Sequence, residues 1–194
     1  MARKKTITRD QILHAAYEVV AKEGFSRFTA RNIAAKMKCS TQPIYLEFKN
    51  MEDLKTVLVA DIINNMLTKF LEKEVTGNRL IDLGVNFIDF ASKEKQLYKA
   101  LILEGEVSLG DLNEYSYDYF VHTLIKDTEY EGMTEDQTQS LYMGFWIVVT
   151  GLASLTSTNV VDSSQEKMAE LLKATFHMIK NQDPIDLSFK SLLK

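Results

Sequence analysis

Nine basic side chains gather in the first quarter of this sequence. Arg3, Lys4, Lys5 and Arg9 come first, and Arg27, Arg31, Lys36, Lys38 and Lys49 surround a short turn. Cations at that density suit the neutralisation of phosphates along a polyanion. Residues 1–55 hold eleven Lys/Arg against six Asp/Glu, a net of +5, whereas residues 56–194 hold twelve against twenty-one, a net of −9. The overall charge of −4 therefore conceals a basic head on an acidic body. Patterns for other chemistry are missing: there is no Glu-x-x-His, His-Glu-x-x-His, Gly-x-Ser-x-Gly or phosphate-loop motif. Glu104 and Glu106, two apart, do not share a helix face. His122, four after Asp118, makes one histidine and one carboxylate, too few for a metal. We expect no catalysis, no metal and no cofactor.

The elements that must position the basic groups are helices. Only 2 prolines and 8 glycines punctuate 194 residues that are 45% hydrophobic and 26% charged, which favours long amphipathic helices and an all-α fold. A single cysteine, Cys39, rules out an internal disulfide and suits a reducing cytosol, where it serves as a small packed residue. The basic N-terminus has no apolar segment behind it, and the longest strictly apolar run is Phe145 to Val149, so neither secretion nor a membrane span is expected.

Thr8 with Gln11 has capping-box spacing for a first helix, whose stripe is Ile12, Ala16, Val19 and Val20 and whose stop is a left-handed Gly24. Thr29 caps a second helix carrying Ile33, Ala34 and Met37. Ser40 caps a third carrying Ile44, Tyr45 and Phe48, with Pro43 in its first turn. Asn50 caps a long fourth helix that runs to about Lys73 and links head to body mechanically. Further helices are predicted at about 78–92, 94–104, 111–126, 134–157 and 163–181. Thr134 with Gln137 and Ser163 with Glu166 mark two of the starts. The tail after Pro184 either docks or frays. The domain division read from this pattern is a helix-turn-helix head at 1–50 and a helical body at 51–194.

Two short helices joined by Lys38, Cys39 and Ser40 form a helix-turn-helix candidate, set among the cations described above. The stretch from Thr29 to Leu54, TARNIAAKMKCSTQPIYLEFKNMEDL, resembles the DNA-binding head of the tetracycline-repressor (TetR) family of bacterial regulators, the likeness covering about residues 8–55. The resemblance implies that Thr29 and Arg31 touch phosphate or base edges from the second helix. It also implies that Thr41, Gln42, Pro43 and Tyr45 face DNA from the third, with Lys49 near a phosphate. Ser40 joins this set. Gln42 is the base-reading candidate, since a carboxamide pairs bidentately with adenine N6 and N7, while Thr41 suits a thymine methyl and Tyr45 a phosphate hydrogen bond or a packing role. The sequence departs from the family at Lys38, where the turn usually has glycine, at Glu47, usually aromatic or histidine, and at Met51, usually lysine.

One recognition helix reads few base pairs, so specific binding calls for a homodimer whose heads meet successive major-groove faces of double-stranded DNA, about 34–36 Å apart. Val148, Leu152, Leu155, Leu172, Phe176 and Ile179 are candidates for that contact, and Gly144 and Gly151 allow close approach. The same side chains can also serve the protomer's own core. The aromatics Phe70, Phe87, Phe90, Tyr98, Tyr115, Tyr119, Tyr142, Phe145 and Trp146 are candidates for an effector pocket, which the TetR resemblance implies in this region. The resulting expectation is a cytoplasmic repressor on a palindromic operator, released by a small hydrophobic or amphipathic effector. A helical protein-interaction adaptor and a DNA-binding regulator without a ligand are the alternatives.

Overall fold

The computed structural model describes residues 7–66, 73–104, 117–126, 128–162 and 164–183, and the regular elements among them are helical, with no strand. They are α1 (Arg9–Glu23), a 3-10 turn (Phe25–Arg27), α2 (Ala30–Lys36), α3 (Gln42–Glu47), α4 (Met51–Met66), α5 (Arg79–Lys93) and α6 (Lys95–Tyr98). A π-helical turn (Lys99–Leu103) follows, then a second (Phe120–Leu124), α7 (Glu135–Ser157) and α8 (Gln165–Lys180). The candidates Phe70 and Tyr115, the cations Arg3, Lys4 and Lys5, the cap Ser163 and the tail after Asp183 lie outside the described residues. So does the stretch by which α4 would reach Lys73.

Contacts group the described elements into two compact units. The first holds α1 to α4 together with α6 and the turn Lys99–Leu103; the second holds α5, the turn Phe120–Leu124, α7 and α8. Where the sequence reading draws a boundary after residue 50, the contacts carry α4 and the segment 95–103 along with the head.

In the first unit, α1 starts with the full capping box. The Gln11 backbone N–H donates to Thr8 Oγ1 at 3.3 Å, and the Thr8 N–H donates to Gln11 Oε1 at 3.1 Å. Its buried face is Ile12, Ala15, Ala16, Val19 and Val20. Gly24 ends it differently from the left-handed stop expected. At φ 76°, ψ 177° it is extended in the positive-φ half of the map, a region open almost only to glycine. Thr29 caps α2, accepting from the Asn32 N–H at 3.2 Å.

The cap expected of Ser40 does not form, and α3 begins one residue later, after Thr41, with no side-chain cap. Pro43 accounts for this. Counted from Ser40 it occupies the third helical position, whose N–H a capping hydroxyl needs and proline lacks. The Ile44 N–H closes the first turn on the Thr41 carbonyl at 3.1 Å instead. Asn50 does cap α4: its Oδ1 accepts from the Asp53 N–H at 2.8 Å, while Asp53 Oδ2 accepts from the Lys49 N–H at 2.9 Å. Behind these, α6 and its π-turn bury Leu97, Tyr98, Ala100 and Leu101, and α6 packs against α1.

The second unit is built on α5, in which every side chain from Leu80 to Ile88 is buried, with α7 and α8 packed against it. The approach is close: a Cβ on Gly84 would lie 2.8 Å from Leu172 Cδ1, and one on Gly144 would lie 2.6 Å from Ile179 Cδ1. Two polar residues inside α5 hold the chain that enters it. The Asp82 carboxylate accepts from the Thr76 N–H at 2.7 Å, the Thr76 hydroxyl at 2.6 Å and the Gly77 N–H at 3.2 Å, and the Asn86 amide donates to the Lys73 carbonyl at 2.6 Å. Helix α7 carries the expected capping box of Thr134 and Gln137. Helix α8 begins after Ser164, whose side chain makes no cap.

Candidate nucleic-acid interface

Helix α3 is six residues long and is held by very little. Only Ile44 is buried within it, and Phe48, one turn on at its C-terminal flank, is the second anchor. The Arg9 guanidinium lies 5.0 Å over the Phe48 ring and so braces that anchor from the start of α1. Everything else on α3 turns outward: Gln42, Tyr45, Leu46 and Glu47 are exposed, Tyr45 at 53% and Leu46 at 75%, and Pro43 is half-buried. Thr29, Arg31, Ser40, Thr41 and Lys49 are exposed as well. The residues proposed from the sequence are thus all solvent-facing except the half-buried Pro43.

The turn before α3 has defined geometry. The Lys38 N–H donates to the Ala35 carbonyl at 3.1 Å and the Cys39 N–H to the Ala34 carbonyl at 3.0 Å, the paired bonds of a Schellman stop. Lys38 occupies its left-handed position at φ 54°. Lysine therefore stands where the backbone favours glycine, which is the residue the TetR resemblance led one to expect there. Cys39 is half-buried beside it, its thiol donating to the Ser40 carbonyl at 3.2 Å.

Not all the cations stand alike. Arg27 pairs with Glu23 at 3.4 Å and Lys36 with Glu18 at 3.7 Å, both on exposed surface where such pairs contribute at most about 1 kcal/mol. Arg31, Lys38 and Lys49 make no ion pair among the described residues, so their charge is available to an external anion. Asn32 fixes the approach to α2 by donating from its amide to the Arg27 carbonyl at 2.8 Å. The Thr29 hydroxyl, although committed as acceptor to its cap, keeps a proton to donate.

The candidates for pocket and dimer contact are spread over both units. Phe87, Phe90, Tyr142 and Phe145 are buried in the second unit, and Trp146 is half-buried. Phe145 meets Phe120, Trp146 and Phe176 at centroid distances of 5.9, 5.2 and 5.5 Å, and Trp146 meets Phe87 at 5.7 Å. Tyr119 is exposed, and Tyr98 is buried in the first unit, apart from the others. Burial and the neighbouring Glu135 carboxylate, which accepts from the Tyr117 hydroxyl at 2.8 Å, push the Tyr117 phenol well above its ordinary range. Burial and then Glu129 push Tyr130 up to about 12. Among the dimer candidates, Leu172 and Phe176 face the unit's own core, Val148, Leu152 and Ile179 are half-buried, and Leu155 is exposed.

Leu46 is the residue that the sequence reading passed over. It is the most exposed large apolar side chain among the described residues. Its signal was available: with Ile44 and Phe48 assigned inward, 3.6 residues per turn places Leu46 on the far side.

Residues 12–55 match the family described as bacterial regulatory proteins, tetR family. A TetR-like transcriptional regulator from Rhodococcus sp. RHA1 superposes with a TM-score of 0.64 at 17% identity, over 90% of this chain and 96% of that one. The fatty acid degradation regulator FadR from Bacillus halodurans does so with a TM-score of 0.52 at 19% identity, over 96% and 99%. At these identities the likeness is one of fold, and it extends well beyond the head. No curated protein matches the chain.

Proposed function

We propose that this DNA-binding transcription regulator of the tetR family acts in the cytoplasm as a homodimeric repressor, bound to a palindromic operator and released by a small hydrophobic or amphipathic effector. Residues 1–50 hold the DNA contacts, and the remainder serves the effector and the partner copy. One observation carries the reading: α3 turns Gln42, Tyr45 and Leu46 to solvent in the unit that also exposes Arg31, Lys38 and Lys49, cations that make no ion pair among the described residues. A helix presented this way enters a major groove, with the cations on the flanking phosphates.

The homodimer is supported by α7 and α8. Ile147, Gly151 and Leu155, four apart, form an exposed stripe on α7, with Leu171 and Met178 exposed on α8. Glycine within a helix costs about 1 kcal/mol relative to alanine. At Gly151 no atom of another described element lies within 4 Å of an added Cβ, so no contact among the described residues calls for glycine there. Close approach of a second copy does. Helix α7 is also long and apolar enough to cross a membrane, but 44% of its most apolar window is buried within the protein. A single exposed stripe is the pattern of a helix packed on protein.

The effector half of the proposal rests on the aromatic cluster of the second unit and, apart from it, on an open hollow of about 370 Å³ lined by Val121, Ile125, Tyr130 and Met133 together with the polar His122, Lys126 and Glu131, which includes none of the aromatic candidates. That volume suits a small ligand. The chain passes between the units three times, first between α4 and α5 and next at Glu94. An effector that favours one separation of the two heads shifts DNA affinity by its differential affinity, typically about 1–3 kcal/mol.

A gel-shift titration against the DNA upstream of the protein's own gene tests the proposal. We expect binding that falls steeply with salt and a dimer by sedimentation, with Ile147→Glu/Leu155→Glu giving monomers whose affinity for a full operator drops at least tenfold. An adaptor protein would instead ignore duplex DNA at low ionic strength.

A further inference from the structure

We propose that α3 reads its operator through an apolar and carboxamide crest, Leu46 together with Gln42, and that each half-site is consequently centred on A·T pairs, with a thymine methyl seated against Leu46. The inference rests on the DNA-binding reading above and goes further by naming what is read.

Gln42 and Leu46 are four apart, so they lie one above the other on a single face. Ile44 and Phe48, also four apart, are buried on the opposite face, and α3 packs against α1. At about 100° per residue the two pairs point in nearly opposite directions, so the side chains furthest from the core are the carboxamide and the leucine. Tyr45 and Glu47 stand on the two flanks.

The second observation is a matter of charge. Helix α3 contains no lysine or arginine, and its one ionisable group apart from the tyrosine is the Glu47 carboxylate. Guanine is read most often by a bidentate cation on O6 and N7, and this helix has none to offer. What the crest does offer is a bidentate partner for adenine N6 and N7 and an apolar surface for the C5 methyl of thymine. In the free protein the Leu46 side chain is 75% exposed to water. Against a thymine methyl both apolar surfaces leave water. Arg31, Lys38 and Lys49 then hold the duplex without regard to its sequence.

The experiment uses the full-length protein. Duplexes enriched from a random library are sequenced, and each thymine of the best duplex is then replaced in turn by deoxyuridine, which removes only the C5 methyl. We expect A·T pairs at the centre of both half-sites. One replacement per half-site should weaken wild-type binding about fourfold, the value of burying one methyl. Leu46→Ala, which alters both copies of the dimer, should bind the unmodified duplex about as weakly as wild type binds a duplex replaced in both half-sites, and should be indifferent to the replacement. Its thermal unfolding should match wild type, since the side chain is exposed. Enriched half-sites fixed by guanine opposite α3, with no thymine sensitive to replacement, would overturn the inference and leave the DNA-binding reading standing. A library from which no duplex is enriched would overturn both.

Discussion

The head and the second unit are held together in different ways. In the head each helix has its own local stop or start: Thr8, Thr29 and Asn50 cap helices, Gly24 and Lys38 end them, and α3 rests on two side chains. The second unit has local signals too, the capping box and Asn159 stop of α7, but there mutual packing is extensive, with α5 enclosed over most of its length and rings interlocked around Phe145. The difference explains where sequence likeness is found. A surface that must meet DNA constrains particular residues, so residues 12–55 match a family outright. A helical core accepts many apolar combinations of the same periodicity and volume, so the rest of the chain shares a fold with regulators of 17% and 19% identity.

Breaking each region in turn should separate stability from binding. Phe145→Ala should lower unfolding free energy by about 3–5 kcal/mol in urea titration. Ile44→Ala should lower it by about 2–4 kcal/mol and, in addition, remove most duplex affinity, because α3 loses half of its support. If Ile44→Ala kept wild-type affinity, α3 would not be the element that meets DNA.

The two Schellman stops sharpen the contrast on a smaller scale. In α7 the left-handed position is filled by Asn159 at φ 59°, with the Val160 N–H donating to the Leu155 carbonyl at 2.9 Å. Asparagine tolerates that conformation and lysine does not. Lys38→Gly should therefore raise stability by about 1 kcal/mol, against a few tenths for Asn159→Gly, both read from thermal melts. Lys38→Gly should also reduce the salt dependence of DNA binding by about one unit of slope.

The smallest effect is nil at neutral pH. Tyr130 is raised from its ordinary value to about 12 by burial first and Glu129 second. The folded protein therefore holds that proton more tightly than the unfolded chain does. The resulting stability is complete below pH 10 and is lost as pH rises towards 12. Tyr130→Phe should flatten that alkaline decline in a series of urea titrations.

Legibility in the sequence followed the same division. Helix existence was readable nearly throughout, and the caps Thr8, Thr29, Asn50 and Thr134 stand where side-chain spacing puts them. The start of α3 departs from the serine-cap spacing because Pro43 has no N–H for the Ser40 hydroxyl to accept from. That α6 packs on α1 could not be read, since a four-residue helix carries no periodicity that names its partner. The inward turn of Leu172 and Phe176 beside exposed Leu171 and Met178 was hidden for a related reason. Apolar residues occupy two faces of α8, and periodicity alone does not say which meets the core.

Because α3 is anchored by Ile44 and Phe48 while Gln42 and Leu46 face solvent, the residues that hold it and those proposed to choose the DNA are separate sets. On that proposal, exchanging Gln42 or Leu46 would retarget the protein to a new address with little penalty in folding, and a lineage could drift among addresses while the scaffold beneath stayed as it is.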